Sequence, residues 1–498
     1  MPTGREVARL HSLYDPAKEA ARYVDAQSFS CNPLYIVVTE PGESHLAGAL
    51  RTRYPAARLL AIRYDKELFA ECDSLWDGVW RPGTGSEVSS WLFSAIPDEH
   101  LPLTAFLPWK PSDSIWPSLS TYVWNSIASV IRLQTSVMYT RSAFGKRWLA
   151  NCVRNAMLAR NAVGLSFPQK TVLLAASGPT LESIFPFDSA RYYVCSVSSA
   201  LACLLERGVR PDIAIATDGG FWALAHLRRI PPDLPLAFPL EAAVPSKVLR
   251  ENPLALLDYG SELEKFLLET AGIRAERAAR NGTVTGTAAS FLLDRFAGAV
   301  YATGLDLKPV HERSHARPNA GLSAVEANSS KTRPFSHALF ETGRDSSALD
   351  IYASWFSSRD ASFRDRFIRI GNEGKPLEGI RSITLADFRG LSSLSGDRRD
   401  ESPSSDPRPG RPWKERKELL LSWLRSEAEA FEKDPYSIPD DPLHHEILQM
   451  VSYTGYVKYL KYARSGGPEA RESARELGNE TRGFMTKLAS TVERMSEE

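Results

Sequence analysis

Small hydroxyl residues, glycines, acids and histidines recur in the middle of this 498-residue chain, mostly just after predicted apolar strands. The residues that could do chemistry are Ser177, Gly178, Pro179, Thr180, Ser196, Ser198, Asp218, Asn281, Gly282, Thr283, Asp306, His311 and His315. Backbone amides and hydroxyls of this kind bind phosphate or ribose, and an aspartate binds ribose hydroxyls or a metal ion. A histidine near neutral pH can take a proton from an acceptor hydroxyl. Together these residue types indicate a site for a phosphate-bearing ligand.

Each of these features also has a purely structural interpretation. A Gly-Pro turn is an ordinary connection from a strand to a helix, and Thr180, Ser198 and Asp218 are all residue types that cap helices. A histidine in a solvated loop commonly has no chemical role. His311 is placed as favourably as His315 in the sequence, so the pattern does not choose between them.

The elements that must position these residues follow from the apolar pattern. Apolar runs with both faces buried are typical of interior parallel strands, and helix-like stretches at 198–206 and 285–296 separate several of them. The predicted strands are 172–176, 192–197, 212–217, 234–239, 254–257 and 299–303. This alternation predicts an α/β fold with a doubly wound, Rossmann-like parallel sheet, whose strand carboxyl ends share the edge where ligands bind.

The rest of the chain suggests a five-part organisation. We expect an N-terminal α/β domain (1–110), a helical connector (111–165), the Rossmann-like domain (166–390), a disordered linker (391–412) and a C-terminal helical region (413–498). The N-terminal part has predicted strands at 34–39 and 59–64 around a helix at 45–54, which make a βαβ unit. Helical spacing is found at 120–158, 413–432 and 443–463.

A cluster of tryptophans follows the N-terminal strands: Trp76, Trp80, Trp91, Trp109, Trp116 and Trp124. Such a cluster most often indicates a packed domain junction. Stacking against a sugar ring is the functional alternative.

The composition excludes several classes of protein. Lysine plus arginine equals aspartate plus glutamate at 60 each, so charge does not argue for a nucleic acid or a membrane surface as partner. The five cysteines have no CxxC spacing, which favours reduced thiols over a metal site. The N-terminus lacks the apolar core of a signal peptide and no run is long enough to span a membrane, so we expect a cytoplasmic protein.

Several motifs in order resemble the motility-associated factor (Maf) flagellin glycosyltransferases. They are SGPTLE, a strand with a serine-rich end, ERGVRPDIAIATDGG, and NGTVTGTAASFLLDRFAGAVYATGLDL followed by a histidine. The segments at 148–155 and 372–379 are similar to further elements of that family. The resemblance covers most of residues 30–390 and is strongest in the centre.

The resemblance implies a transferase with a sialyltransferase-like central domain. Such an enzyme moves a nonulosonic acid, such as pseudaminic or legionaminic acid, from a CMP-activated donor to serine or threonine of flagellin. It needs no metal and no cofactor beyond the donor substrate. The implied roles are donor-phosphate binding for Ser177, Gly178, Pro179 and Thr180, and nucleotide binding for Ser196, Ser198 and Asp218. Asn281, Gly282 and Thr283 would complete the phosphate site, and Asp306 and His315 would face the acceptor.

The sequence departs from the family pattern in two places. The glycine-rich loop of the N-terminal domain is replaced by TEPGE at 39–43, whose two carboxylates would repel phosphate. The segment NEGK at 372–375 lacks the second glycine of the usual pair. Both changes indicate a divergent member of the family.

Two other functions fit the same motifs. Archaeal 6-hydroxymethylpterin diphosphokinases share the domain, and they would need magnesium held by carboxylates such as Asp218 and Asp306. The large flanking regions fit a protein acceptor better. A non-catalytic flagellin-binding scaffold built on a decayed transferase is the other alternative.

Overall fold

Parallel β-sheets organise the chain. The computed structural model describes residues 9–29, 31–84, 87–167, 170–311, 313–332, 334, 346–391, 406–433, 438, 441–463 and 466–497. The strands are β1 (Tyr35–Thr39), β2 (Arg58–Ile62), β3 (Gly78–Trp80), β4 (Thr104–Pro108), β5 (Val163–Gly164), β6 (Thr171–Ala175), β7 (Tyr192–Val197), β8 (Ile213–Ile215), β9 (Leu236–Pro239), β10 (Leu254–Asp258), β11 (Glu276–Arg277), β12 (Val300–Thr303), β13 (Phe367–Ile370), β14 (Ser382–Ile383) and β15 (Asp406–Pro407).

Helices cover these sheets and form most of the C-terminal part. They are α1 (Pro16–Asp25), α2 (His45–Arg53), α3 (Val88–Ala95), α4 (Lys110–Ile115), α5 (Pro117–Leu158), α6 (Leu201–Glu206), α7 (Phe221–His226), α8 (Ser246–Glu251), α9 (Glu262–Ala271), α10 (Val284–Leu293), α11 (Ala320–Ala327), α12 (Ser346–Ser357), α13 (Ala361–Arg366), α14 (Leu385–Gly390), α15 (Trp413–Lys433), α16 (Pro442–Val451), α17 (Tyr453–Ala463) and α18 (Pro468–Arg494). Short 3₁₀ helices occupy Ala70–Leu75, Asp98–Leu103, Pro179–Ile184, Ser189–Arg191 and Ser198–Ala200. Within the described ranges, no helix combines the length and the apolar character that a bilayer crossing requires.

The central sheet has nine strands in the order β11-β10-β9-β8-β7-β6-β12-β13-β14. Neighbouring strands are parallel throughout. The chain runs outward from β6 to β11 and then returns to place β12 on the other side of β6, so the strand order reverses between these two strands. The predicted doubly wound, Rossmann-like α/β fold is therefore confirmed.

Interior strands form where the sequence has continuous apolar runs. Residues 172–175 and all of β7 are buried, because helices pack against both faces of the sheet. The predicted strand at 192–197 has the observed bounds, and the prediction at 172–176 is displaced by one residue. A local apolar run is enough to identify such strands.

The chain divides into two units, of which one comprises Met1–Ala143, Pro435–Ile438 and Ser452–Glu480. Its sheet has four parallel strands in the order β3-β2-β1-β4. The predicted βαβ unit is present as β1, α2 and β2, and β3 and β4 extend it. Trp76, Trp80 and Trp109 are buried in this unit, and the remaining tryptophans of the cluster pack against its core.

The other unit comprises Phe144–Asp434, Pro439–Val451 and Thr481–Glu498 and contains the central sheet. Residues 392–405 of the expected disordered linker lie outside the described residues. The end of that segment is attached to this unit, since β15 pairs antiparallel with β5.

Four helix predictions need correction. The expected helix at 198–206 is a 3₁₀ turn followed by α6, and the expected helix at 443–463 is two helices, α16 and α17. The long helix predicted from residue 120 begins at Pro117, where proline at the first position needs no backbone donor. The helix that the Gly-Pro turn predicts after β6 is a 3₁₀ helix, Pro179–Ile184.

Candidate functional site

The predicted site residues are brought to one edge of the central sheet. Residues 177–180 follow β6, Ser198 follows β7, Asp218 follows β8 and Asp306 follows β12. Residues 281–283 connect β11 to α10. Since the strands are parallel, these positions share the carboxyl edge, and the reversal between β6 and β12 makes this the expected crevice of a doubly wound sheet.

Thr180 and Asp306 join the two strands at the reversal. The backbone amide of Thr180 donates to Asp306 Oδ2 at 2.9 Å, and its hydroxyl donates to Oδ1 at 2.5 Å. Gly178 permits this approach, because a Cβ there would lie 2.4 Å from Asp306 Oδ2. Burial raises the pKa of Asp306, and the bonds from Thr180 oppose that rise.

The loop after β6 therefore uses its donors internally. The Gly178 amide donates to the carbonyl of Gly304 at 2.8 Å, the Thr180 amide is taken by Asp306, and Pro179 has no amide proton. No side chain caps the 3₁₀ helix, so the interpretation of Thr180 as the cap of a regular helix is wrong, and Ser177 does not cap one either. Asp306 is 3% exposed and both its carboxylate oxygens accept hydrogen bonds from Thr180, which differs from the expectation that it faces an acceptor.

His315 is held next to this loop. The amide of Ala316 donates to the carbonyl of Ser177 at 2.8 Å, and Arg313 Nη1 donates to Glu182 Oε1 at 2.8 Å. The His315 ring is half-buried and its Nδ1 lies 3.0 Å from Ser314 Oγ. Burial lowers the pKa of His315, and the nearby His226 lowers it further.

His311 has a different environment. Its side chain is 77% exposed and its Nε2 lies 3.7 Å from Glu373 Oε2. The structure thus separates two histidines that the sequence could not distinguish, and only His315 is enclosed next to the loop after β6.

Asp218 is exposed at the end of β8 and has two neighbours that sequence reasoning missed. Its Oδ1 accepts the amide of Gly220 at 2.8 Å, and Gly220, not Asp218, is the N-cap of α7. Burial lowers the pKa of His226 and the charge of Asp218 raises it. Burial raises the pKa of Tyr352, and Asp218 adds to that rise.

The two neighbours of Asp218 differ in how far they lie from it along the sequence. His226 lies in the helix that directly follows the Asp-Gly-Gly turn, so its proximity could have been found from the sequence. Tyr352 lies in α12, far along the chain, and no local pattern connects it to Asp218.

Residues 281–283 build the start of α10. Thr283 is the N-cap, its hydroxyl accepting the amide of Gly286 at 2.9 Å, and Asn281 Oδ1 accepts the amide of Thr283 at 2.9 Å. The amides of the first helical turn have no partner within a helix and attract anions. Gly282 lies against Tyr352, since a Cβ there would be 3.0 Å from Tyr352 Cε1.

Ser196 in β7 and Ser198 just after it are both shielded from solvent. Ser196 is fully buried and its hydroxyl donates to the carbonyl of Val197 at 2.9 Å. Ser198 is 3% exposed and is the first residue of a 3₁₀ helix, for which Val197 is the N-cap. The N-cap interpretation of Ser198 is therefore wrong.

Two asparagines at the end of α5 fix the loops after β8 and β9. Asn155 Nδ2 donates to the carbonyls of Leu240 and Ala242 at 2.8 and 2.7 Å. Asn151 Nδ2 donates to the carbonyl of Gly219 at 3.2 Å, and to that of Glu241 at 2.9 Å. These bonds give the segment 148–155 a role, because they hold in place the turn that carries Asp218.

Arg280 lies near two aromatic rings beside that turn. Its guanidinium is 5.5 Å from the ring centre of Trp148 and 5.8 Å from that of Tyr259. It forms an ion pair with Glu241, in which Nη2 bonds Oε2 and Nε lies 3.3 Å from Oε1. Trp148 in turn packs on Gly219, where a Cβ would lie 2.4 Å from Trp148 Cδ1.

Among the described residues, no group of three or more His, Cys, Asp or Glu side chains is placed to hold a metal ion.

Comparison with known proteins shows a relative of this chain in another organism. No family model matches the sequence. An uncharacterized protein of Treponema pallidum (strain Nichols) is 37% identical over 305 residues, which are 61% of this chain and 68% of that protein. The chain belongs to the same family as that protein. The relative's name assigns no activity to the family.

One solved structure is similar at the level of the backbone. It is that of MAf glycosyltransferase from Magnetospirillum magneticum AMB-1, with a TM-score of 0.49 and 13% identity over 98% of this chain and 85% of that chain. A likeness of this size establishes neither a shared activity nor a shared substrate.

Proposed function

We propose that this protein is a glycosyltransferase that moves a nonulosonic acid from a CMP-activated donor to serine or threonine hydroxyls of flagellin. The observation that supports it most is the convergence of the resembling motifs: segments 177–182, 212–220, 281–287 and 303–315 meet at one edge of a doubly wound sheet. An enclosed histidine and an exposed aspartate lie at that edge, and both suit transfer to a hydroxyl.

His315 is the proposed base of the reaction. The acceptor hydroxyl attacks the anomeric carbon of the sugar, the bond from that carbon to the phosphate oxygen breaks, and CMP leaves as the anion. His315 takes the hydroxyl proton. The lowered pKa of His315 keeps the ring neutral near pH 7, so that a nitrogen lone pair is available.

The donor would lie across the carboxyl end of β8 and the first turn of α10. Asp218 is exposed and can accept hydrogen bonds from ribose hydroxyls. Asn281, Gly282 and Thr283 place the first turn of α10, whose amides can stabilise the leaving phosphate. Residues 177–180 and Asp306 then act by holding the loop of His315, since the carbonyl of Ser177 accepts the Ala316 amide.

Reconstituted transfer tests this proposal. The purified protein is incubated with flagellin and a CMP-activated nonulosonic acid, and both the mass of flagellin and the released CMP are measured. We expect modified flagellin, and a loss of about 100-fold or more for His315→Ala, the usual contribution of a general base. His311→Ala is the matched control and should keep the wild-type rate, because its ring is exposed to solvent.

Two results would contradict the proposal. One is magnesium-dependent transfer of diphosphate from ATP to 6-hydroxymethylpterin, the reaction of the related enzyme class. The other is unchanged flagellin modification when both Asp218 and His315 are replaced by alanine, which would exclude catalysis by this edge of the sheet.

A further inference from the structure

Arg280 lies in the connection between β11 and α10. It directly precedes Asn281, and thus the turn that opens α10. The ring centres of Trp148 and Tyr259 lie 5.5 and 5.8 Å from its guanidinium, and Glu241 holds one side of it through Nε and Nη2. A bidentate pair with a carboxylate lies in the plane of the guanidinium and fixes the direction of its remaining donors.

The other side of the guanidinium is open. Within the described residues, Arg280 Nη1 has no hydrogen-bond partner, and the side chain is 43% exposed while its partner Glu241 is 14% exposed. A guanidinium carries five donors in a rigid fork, and the pair with Glu241 uses those of Nε and Nη2. Here one nitrogen with its two protons remains available to a ligand.

The charges nearby make this cation important for an anionic ligand. Asp218, Glu241 and Asp258 all lie at the carboxyl ends of β8 to β10. Burial lowers the pKa of both His226 and His315, so neither ring supplies a positive charge near pH 7. A phosphate entering this edge would meet acidic side chains, and Arg280 offsets them there.

We infer that Arg280 binds the phosphate of the donor nucleotide through Nη1, while Trp148, Tyr259 and Glu241 hold the guanidinium in position. This inference rests on the proposed function, because the ligand is the CMP portion of that donor. Glu241 has two effects in this arrangement: it orients Arg280, and its charge weakens the attraction between Arg280 and an incoming phosphate.

Binding of CMP and of cytidine, measured by calorimetry, separates the phosphate from the rest of the nucleotide. We expect Arg280→Met to weaken CMP binding by about tenfold or more, the usual worth of a charge-assisted hydrogen bond, and to leave cytidine binding unchanged. Arg280→Lys keeps the positive charge but loses the planar guanidinium. Its affinity for CMP should therefore lie between those of Arg280→Met and the wild type.

Arg295→Met is the matched control. Arg295 likewise lies over a ring, that of Phe291 at 3.8 Å, and pairs with a glutamate, Glu276 at 3.3 Å, but it follows the opposite end of α10. We expect its CMP binding to equal that of the wild type. Unfolding temperatures without ligand show whether each variant is folded.

Glu241→Gln tests the same inference without removing Arg280. The glutamine keeps one acceptor oxygen for Arg280 and loses the competing charge, so CMP binding should tighten a few-fold, with no change for cytidine. If Arg280→Met does not fold, Arg280→Lys decides: CMP binding as tight as that of the wild type overturns the inference.

The inference and the proposed function fail in different ways. If the wild type binds CMP more tightly than cytidine and Arg280→Met binds CMP equally well, the role of Arg280 is wrong and the transferase proposal stands. If the wild type binds neither CMP nor cytidine, the proposed donor is wrong, and the inference falls with it.

Discussion

Thr180 donates two hydrogen bonds to Asp306, from its amide at 2.9 Å and from its hydroxyl at 2.5 Å. These residues follow β6 and β12, the two strands between which the sheet order reverses. Both carboxylate oxygens of Asp306 are therefore engaged by Thr180 at the reversal. Farther along the same edge, toward β8 to β11, Asp218 and Arg280 are exposed.

Asp306→Asn should destabilise the protein by about 1–3 kcal/mol, because an amide leaves only one oxygen for the two donors of Thr180. Urea unfolding of variant and wild type measures the difference. Thr486→Ala is the control: its hydroxyl bonds a helix carbonyl on an exposed surface, and the change should stay within about 0.5 kcal/mol. An Asp306→Asn protein as stable as this control would contradict the structural role.

Stability should fall as pH rises through the neutral range, because of Glu264. Burial raises the pKa of Glu264 to about 8, against the bonds it accepts from the amides of Tyr259 and Leu240. The folded state then holds a proton that the unfolded state has released above its ordinary pKa of 4.5. Stability is therefore lost between these two values as pH increases, by at most about 1.4 kcal/mol per pH unit.

Glu264→Gln removes the titratable carboxyl group and replaces it with a neutral side chain of similar shape. The free energy of unfolding, measured in urea from pH 5 to pH 8, should decline less steeply for this variant than for the wild type. Glu262→Gln, an exposed residue of the same helix, should keep the wild-type slope. Parallel slopes for wild type and Glu264→Gln would show that Glu264 is charged in the folded protein.

The acid limb of the pH–rate profile should lie below pH 6.5, because the base must be neutral and the pKa of His315 is lowered by burial and by His226. His226→Gln removes the second cause, so the limb should move to higher pH. The rate of CMP release against pH measures this, and His315 proton resonances report the same shift without activity. A limb that stays in place or moves to lower pH would exclude the coupling.

Gly219→Ala should destabilise the protein by about 1–3 kcal/mol through overpacking. The added Cβ would lie 2.4 Å from Trp148 Cδ1 and 2.9 Å from the carbonyl of Glu241, and the backbone oxygen cannot rotate away. Thermal or urea unfolding tests this. Gly298→Ala is the control, since nothing lies within 4 Å of its Cβ position. Equal stabilities for the two variants would contradict the close packing of Trp148 on this turn.

Much of the fold could be predicted because its signal is local. The buried runs at β6 and β7 are apolar along their length, and each is followed by a turn of glycine, proline or serine. Such runs identify interior parallel strands wherever they occur, and alternation with helices then places their ends at one edge. The start of α10 was predictable for the same reason, since Thr283 caps it by a contact within three residues.

The sequence by itself determined the strands, their shared edge and the residue types at that edge. Only the tertiary structure decided that Asp306 bonds Thr180, that His315 is half-buried while His311 is exposed, and that Arg280 lies near Trp148 and Tyr259. Apolar periodicity is a property of adjacent residues. Contacts between residues far apart in the chain depend on strand order and side-chain packing, which no local pattern contains.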